Sequence, residues 1–173
     1  MSRTGRFGPA QGPADKDGDH VFWIYAAEDD ATAVWEGRFC KSLATLPGRF
    51  VFTGAARRGV IAQLSFGEPL RLFDLSGEAA SKLGIYDELR SPNYSWCQCL
   101  GREIDQIIKE YQGAVHGFAY PSRRSPGKVA YVISSRVRDV LASQLTMAAH
   151  PFVGSDEYLK LLADPCYIRP EAL

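Results

Sequence analysis

Net charge is the first thing this chain lacks: 20 Lys and Arg offset 20 Asp and Glu, for a formal net charge of zero over 173 residues. Without a global field to draw it onto nucleic acid or an anionic membrane, neither partner is expected. Long apolar runs are missing too. No stretch approaches the ~18 apolar residues of a spanning helix, and the N-terminal Met1-Ser-Arg-Thr-Gly-Arg6 has no apolar leader core, so a cytoplasmic chain is expected. Cysteine is sparse: Cys40, Cys97, Cys99 and Cys166 form no Cys-x-x-Cys pair, and His20, His116 and His150 stand apart from them. That pattern favours free buried thiols over a zinc site or a disulfide framework, and no metal is expected. Neither Gly-x-Gly-x-x-Gly nor Gly-x-x-x-x-Gly-Lys-Ser/Thr follows a candidate strand, which removes the Rossmann and P-loop routes to nucleotide binding.

What is present is apolar material, 46% hydrophobic and 12% aromatic, enough for one substantial core in a single domain spanning 1–173. Residues 1–20 are loop-rich, with Gly5, Gly8, Pro9, Gly12 and Pro13 followed by Asp15, Asp17 and Asp19. A strand is expected over Phe22–Tyr25, then a helix from about 30 to 46, capped by Asp29 or Asp30 and ended by Pro47-Gly48. On that helix Ala33, Glu36, Cys40 and Leu43 share a core-facing stripe while Val34 and Arg38 lie opposite, which turns the Glu36 carboxylate inward. Strands follow at Phe50–Phe52, Val60–Phe66 and Leu70–Leu75, and a short helix at Ser76–Leu83. A long helix over Tyr94–Tyr111 buries Cys97, Gly101, Ile104, Ile108 and Tyr111. Strands at Val115–Tyr120 and Val129–Ser134 bracket a loop in which Arg124 and Lys128 read as ordinary solvated residues. Residues 136–173 form a C-terminal extension with a helix at Asp156–Leu162, and His116 reads as a strand or turn residue. Strands and helices mix without regular alternation, so the class is α+β with a mixed sheet and flanking helices.

Four polar positions suit one chemistry. An inward Glu36 requires a cation, a donor or a positively charged ligand, because an unpaired buried carboxylate is costly; a salt bridge to a core arginine meets the same need. Ser95 lies in the first turn of the long helix, where free N–H groups and the positive dipole end favour phosphate. Arg6 can clamp phosphate oxygens bidentately, and Tyr25 can stack on a planar ring or donate its hydroxyl. Glu36 can hold a ribose hydroxyl or stabilise charge developing at an anomeric carbon.

At these residues the chain resembles the RES domain family, the toxins of bacterial RES-Xre toxin–antitoxin modules. The resemblance is carried by Gly5-Arg6-Phe7, Ile24-Tyr25-Ala-Ala27, Ala33-Val-Trp-Glu36, Leu72-Phe-Asp-Leu75, Ser95-Trp-Cys-Gln98-Cys-Leu-Gly101 and Gly117-Phe-Ala-Tyr-Pro-Ser122-Arg123. It implies a fold similar to the ADP-ribosyltransferases and an enzyme that consumes NAD by phosphorolysis or hydrolysis, or that transfers ADP-ribose to a protein. By motif it makes Arg6, Tyr25, Glu36 and Ser95 the active-site residues, with Gln98, Ser122 and Arg123 in support. It implies an Xre-type antitoxin as partner, and self-association into a homodimer is expected beside it. Family members usually carry another arginine-bearing strand ahead of the Gly-Arg-Phe element. Only four residues precede Gly5 here, which motivates a third reading, a catalytically inactive interaction module.

Overall fold

The computed structural model describes residues 5–8, 22–111 and 114–169. In chain order the elements are β1 (Trp23–Ala27), α1 (Asp30–Glu36), β2 (Cys40–Ser42), β3 (Phe50–Phe52), β4 (Val60–Phe66), β5 (Leu72–Asp74), α2 (Gly77–Lys82), α3 (Tyr86–Arg90), α4 (Tyr94–Glu110), β6 (Gly117–Pro121), β7 (Val129–Ser134), α5 (Arg138–Ala142), β8 (Leu145–Pro151) and α6 (Asp156–Ala163), with 3-10 turns at Ala56–Arg58 and Ser135–Val137. The chain is mixed α+β with a mixed sheet, as the element order implied. Its contacts gather into two compact units, one of residues up to Ala26 with Phe66–Leu145, the other of Ala27–Ser65 with the residues from Thr146 on.

The first unit is built on a sheet in the order β1-β7-β6-β5. β5 runs parallel to β6 with Phe73 opposite Phe118, so the chain between them crosses over through α2, α3 and α4. β6 and β7 are antiparallel, pairing Gly117 with Ile133 and Pro121 with Val129. All five residues of Gly117-Phe-Ala-Tyr-Pro121 are buried, which explains a strand without polar alternation: neither face meets water. Phe7 inserts its ring between Phe118 and Tyr120, edge-on at 4.8 and 4.9 Å, and Trp23 meets Phe118 at 5.7 Å. α4 lays Cys97, Gly101, Ile104 and Ile108 into the same core, the stripe that a period of 3.6 requires. Tyr111 does not extend that stripe. The helix ends at Glu110, and Tyr111, at its C-terminal cap, is 64% exposed.

The second unit pairs β2 with β3, Cys40 opposite Phe52, and β4 with β8. Val34, Cys40, Phe50, Ala56, Ile61, Phe152 and Leu161 form its core. The helix expected over 30 to 46 is overturned here. Asp29 does cap it, accepting from Thr32 N at 2.7 Å, but α1 stops at Glu36. Phe39 N donates to Val34 O and Arg38 N to Trp35 O, a closing pair of bonds that needs one left-handed residue, and Arg38 supplies it at φ 60°. The chain then enters β2. Cys40 and Leu43 therefore share no helical stripe with Glu36, and Val34, expected on the solvated side, is in the core at 1% exposure. The pattern of 3.6 lost to strand pairing with Phe50-Val-Phe52.

Candidate anion-binding site

Arg6 is set from several sides. In the turn at residues 5–8, Gly8 N donates to Gly5 O at 3.1 Å. Tyr25 of β1 closes this turn from outside, its hydroxyl accepting from Phe7 N at 2.9 Å. A side chain at position 5 would strike that phenol, its Cβ 2.5 Å from the Tyr25 oxygen, so only glycine allows the approach. From below, Phe7 is fully buried, and Gly101 of α4 leaves room for the Phe7 carbonyl, which a Cβ there would meet at 2.5 Å.

Arg6 so placed is buried, at 8% exposure. Its Nη2 donates to Leu89 O and, at 3.1 Å, to Ser91 O, the carbonyls at the C-terminal end of α3. Its Nε is buried with no acceptor among the described residues. A buried charged donor without a partner is costly, and an anion would satisfy it. The Arg6 guanidinium also lies 5.6 Å from the centre of the Tyr94 ring, and the Arg123 guanidinium, from the loop after β6, lies 5.8 Å from that same ring. Among the described residues neither arginine forms an ion pair with a carboxylate.

Tyr25 is a neutral phenol here. Burial pushes its hydroxyl up to about 12, against the smaller opposing pull of the Phe7 and Gly8 amides. Its oxygen accepts from the backbone, so the proton remains available to donate to a bound oxygen.

Ser95 lies in the first turn of α4, as expected, and is exposed. The helix start, however, is already capped: Asn93 Oδ1 accepts from Ser95 N at 3.0 Å and from Ser95 Oγ at 2.8 Å. Gln98, one turn on, is half-buried. Ser122 is buried, its Oγ accepting from Ser125 N at 3.0 Å, so it shapes the loop that carries Arg123. Glu36 belongs to the other unit, where it is half-buried at the last position of α1 and has an interaction of its own. The structure thus gathers Arg6, Tyr25 and Arg123, with Ser95 next to the gathering ring. That ring, Tyr94, escaped sequence reasoning; its only signal was an aromatic residue directly ahead of Ser95.

His116 is structural, its Nδ1 accepting from Arg71 N at 3.2 Å. Cys40 and Cys97 are buried free thiols, whereas Cys99 and Cys166 are free but exposed. Lys128 is exposed and Arg124 half-buried. No helix among the described residues is long and apolar enough to cross a membrane.

These features define an α+β protein with a candidate anion-binding site at the buried Arg6. The RES domain family model matches residues 2–153, and the chain belongs to the RES domain family, which is associated with toxin–antitoxin modules and NAD-related activity. Neither the curated proteins nor the solved structures give a match, so the similarity to the ADP-ribosyltransferase fold rests on the sequence motifs alone.

Proposed function

We propose that this chain is a RES-type toxin that consumes NAD by breaking the bond between nicotinamide and ribose. The observation that carries the reading is the buried Arg6, its Nε lacking an acceptor among the described residues, near a ring that a second arginine, Arg123, also approaches. Such a pair suits the pyrophosphate of a dinucleotide through charge-assisted hydrogen bonds. The neutral Tyr25 phenol adds a donor beside it.

With the pyrophosphate held, the N-glycosidic bond breaks and its electron pair leaves with nicotinamide, which departs neutral. Ribose C1′ is left as an oxocarbenium-like centre, and the family motif assigns Glu36 to stabilise it. An oxygen of phosphate or water then bonds to C1′, water giving up a proton. The products are nicotinamide with ADP-ribose phosphate or with ADP-ribose. An Xre-type antitoxin is the neutralising partner that such an activity requires.

Incubation with NAD, with and without phosphate, followed by mass identification of products, tests the reading. ADP-ribose recovered on a protein would redirect it to transfer, and intact NAD would leave an inactive module. Glu36→Gln preserves volume and removes charge, so turnover should fall on the order of 10²-fold or more with unchanged melting. Turnover within a few-fold of the parent would return Glu36 to a structural role.

A further inference from the structure

We propose that Tyr94 is a positioning residue that makes this site a seat for a diphosphate in preference to a single phosphate, an inference that rests on the NAD reading for its biological substrate. The two guanidiniums reach the site from different places: Arg6 from the turn held by Tyr25, Arg123 from the loop shaped by Ser122. Packing of Phe7 on Phe118 and Tyr120 brings the two segments together but does not itself set the two guanidiniums. The Tyr94 ring does, with the guanidinium carbons 5.6 and 5.8 Å from its centre. Two like charges converging on one point repel, and the electron-rich ring face offsets that repulsion while no anion is bound. Tyr94 is itself fixed, being the first residue of a 17-residue helix whose cap, Asn93, is closed on Ser95.

Cap closure has a second consequence. Asn93 occupies the Ser95 amide and its hydroxyl proton, so the helix start offers an incoming phosphate less than an open one would. Most of the charge recognition therefore falls to the arginines. Two guanidiniums can contact both phosphoryl groups of a diphosphate at once and match its spread of charge, which a single phosphate does not offer.

The test is calorimetric binding of pyrophosphate, orthophosphate and ADP-ribose to the full chain and to Tyr94→Phe, Tyr94→Leu and Arg123→Gln, with the KM and kcat for NAD measured alongside. Tyr94→Phe keeps the ring and should stay close to the parent. Tyr94→Leu should weaken pyrophosphate and ADP-ribose about tenfold and raise KM more than it lowers kcat, the scale of one partly desolvated ring–cation contact. Arg123→Gln should bring pyrophosphate affinity down toward that of orthophosphate; it serves as the check if the leucine variant melts early. Equal pyrophosphate affinity in parent and Tyr94→Leu would overturn the proposal, as would a phenylalanine variant as weak as the leucine one, or a parent that binds pyrophosphate no better than orthophosphate. Tyr94-dependent pyrophosphate binding without NAD cleavage would sink the NAD reading and leave the diphosphate seat. NAD cleavage with an unchanged KM in Tyr94→Leu would do the reverse.

Discussion

Single side chains here are held in states that their neighbours impose, and two of them yield measurable consequences. Arg38 is the only described non-glycine residue with positive φ, at 60°, and it occupies the position after α1 where glycine is usual. A Cβ in the left-handed region costs roughly 1–2 kcal/mol, part of which glycine returns as unfolded-state entropy. Arg38→Gly should therefore raise stability by up to about 1 kcal/mol in urea unfolding; a loss would mean that the arginine side chain contributes contacts outweighing the strain. His116 is the second case. Burial, and then the Arg71 charge, lower its pKa, and its Nδ1 accepts from the Arg71 amide, which only the unprotonated ring can do. The folded state thus resists a proton that the unfolded chain takes up below about 6.5, so stability is full above that pH and falls as pH drops through the window beneath it. His116→Asn keeps an acceptor where Nδ1 stands and should flatten the dependence of the urea midpoint between pH 7 and 5.5. A variant as pH-sensitive as the parent would assign the slope to other groups.

Among elements, α4 shows how a helix can position an arginine that it does not carry. Gly101 lets the Phe7 carbonyl sit against the helix, and Gly101→Ala would place a Cβ 2.5 Å from that oxygen and 3.2 Å from the Phe7 Cβ. Overpacking of this kind costs about 1–3 kcal/mol. The variant should melt earlier and, because the displaced turn carries Arg6, bind pyrophosphate more weakly even well below its melting temperature; a stability loss with unchanged binding would separate the turn from the site. α4 was also the most legible element, since four of the five stripe residues read from the sequence are buried and only the terminal Tyr111 is not. The strands Phe50–Phe52, Val60–Phe66 and Val129–Ser134 were legible for a similar reason, being apolar runs bounded by glycine, proline or charge. α1 was misread because Glu36, Cys40 and Leu43 fit a helical period by chance across Gly37, and only the long-range pairing of Cys40 with Phe52 decides against it. β2, α3, α5 and β8 gave no readable sign. α3 has five residues with Leu89 alone buried, and β8 is exposed along its length except at His150, so neither carries a periodic apolar pattern. Arg6, Tyr25, Ser95 and Arg123 were reachable through motifs, but Asn93 and Tyr94 act through geometry that no spacing rule encodes.

For the whole molecule, the composition sets the terms of inhibition. With a formal net charge of zero, the protein has no long-range field to recruit an acidic partner, so recognition has to be local. The pair Arg6 and Arg123 around Tyr94 offers such a local attraction, and among the described residues no carboxylate pairs with either. An antitoxin that neutralises NAD consumption most directly would place a carboxylate there, satisfying the Arg6 Nε that has no acceptor among the described residues. Such an antitoxin should relieve toxicity on co-expression, and the purified complex should bind NAD weakly or not at all. Its affinity for the toxin should fall in Arg123→Gln and, being electrostatic at a partly exposed site, should weaken with salt. Titration of NAD into the complex decides the matter. Binding as tight as that of the free chain would exclude occupation of the arginine pair and require inhibition from another surface, whereas NAD binding restored by salt in step with loss of the antitoxin would identify the carboxylate as a substitute for the pyrophosphate.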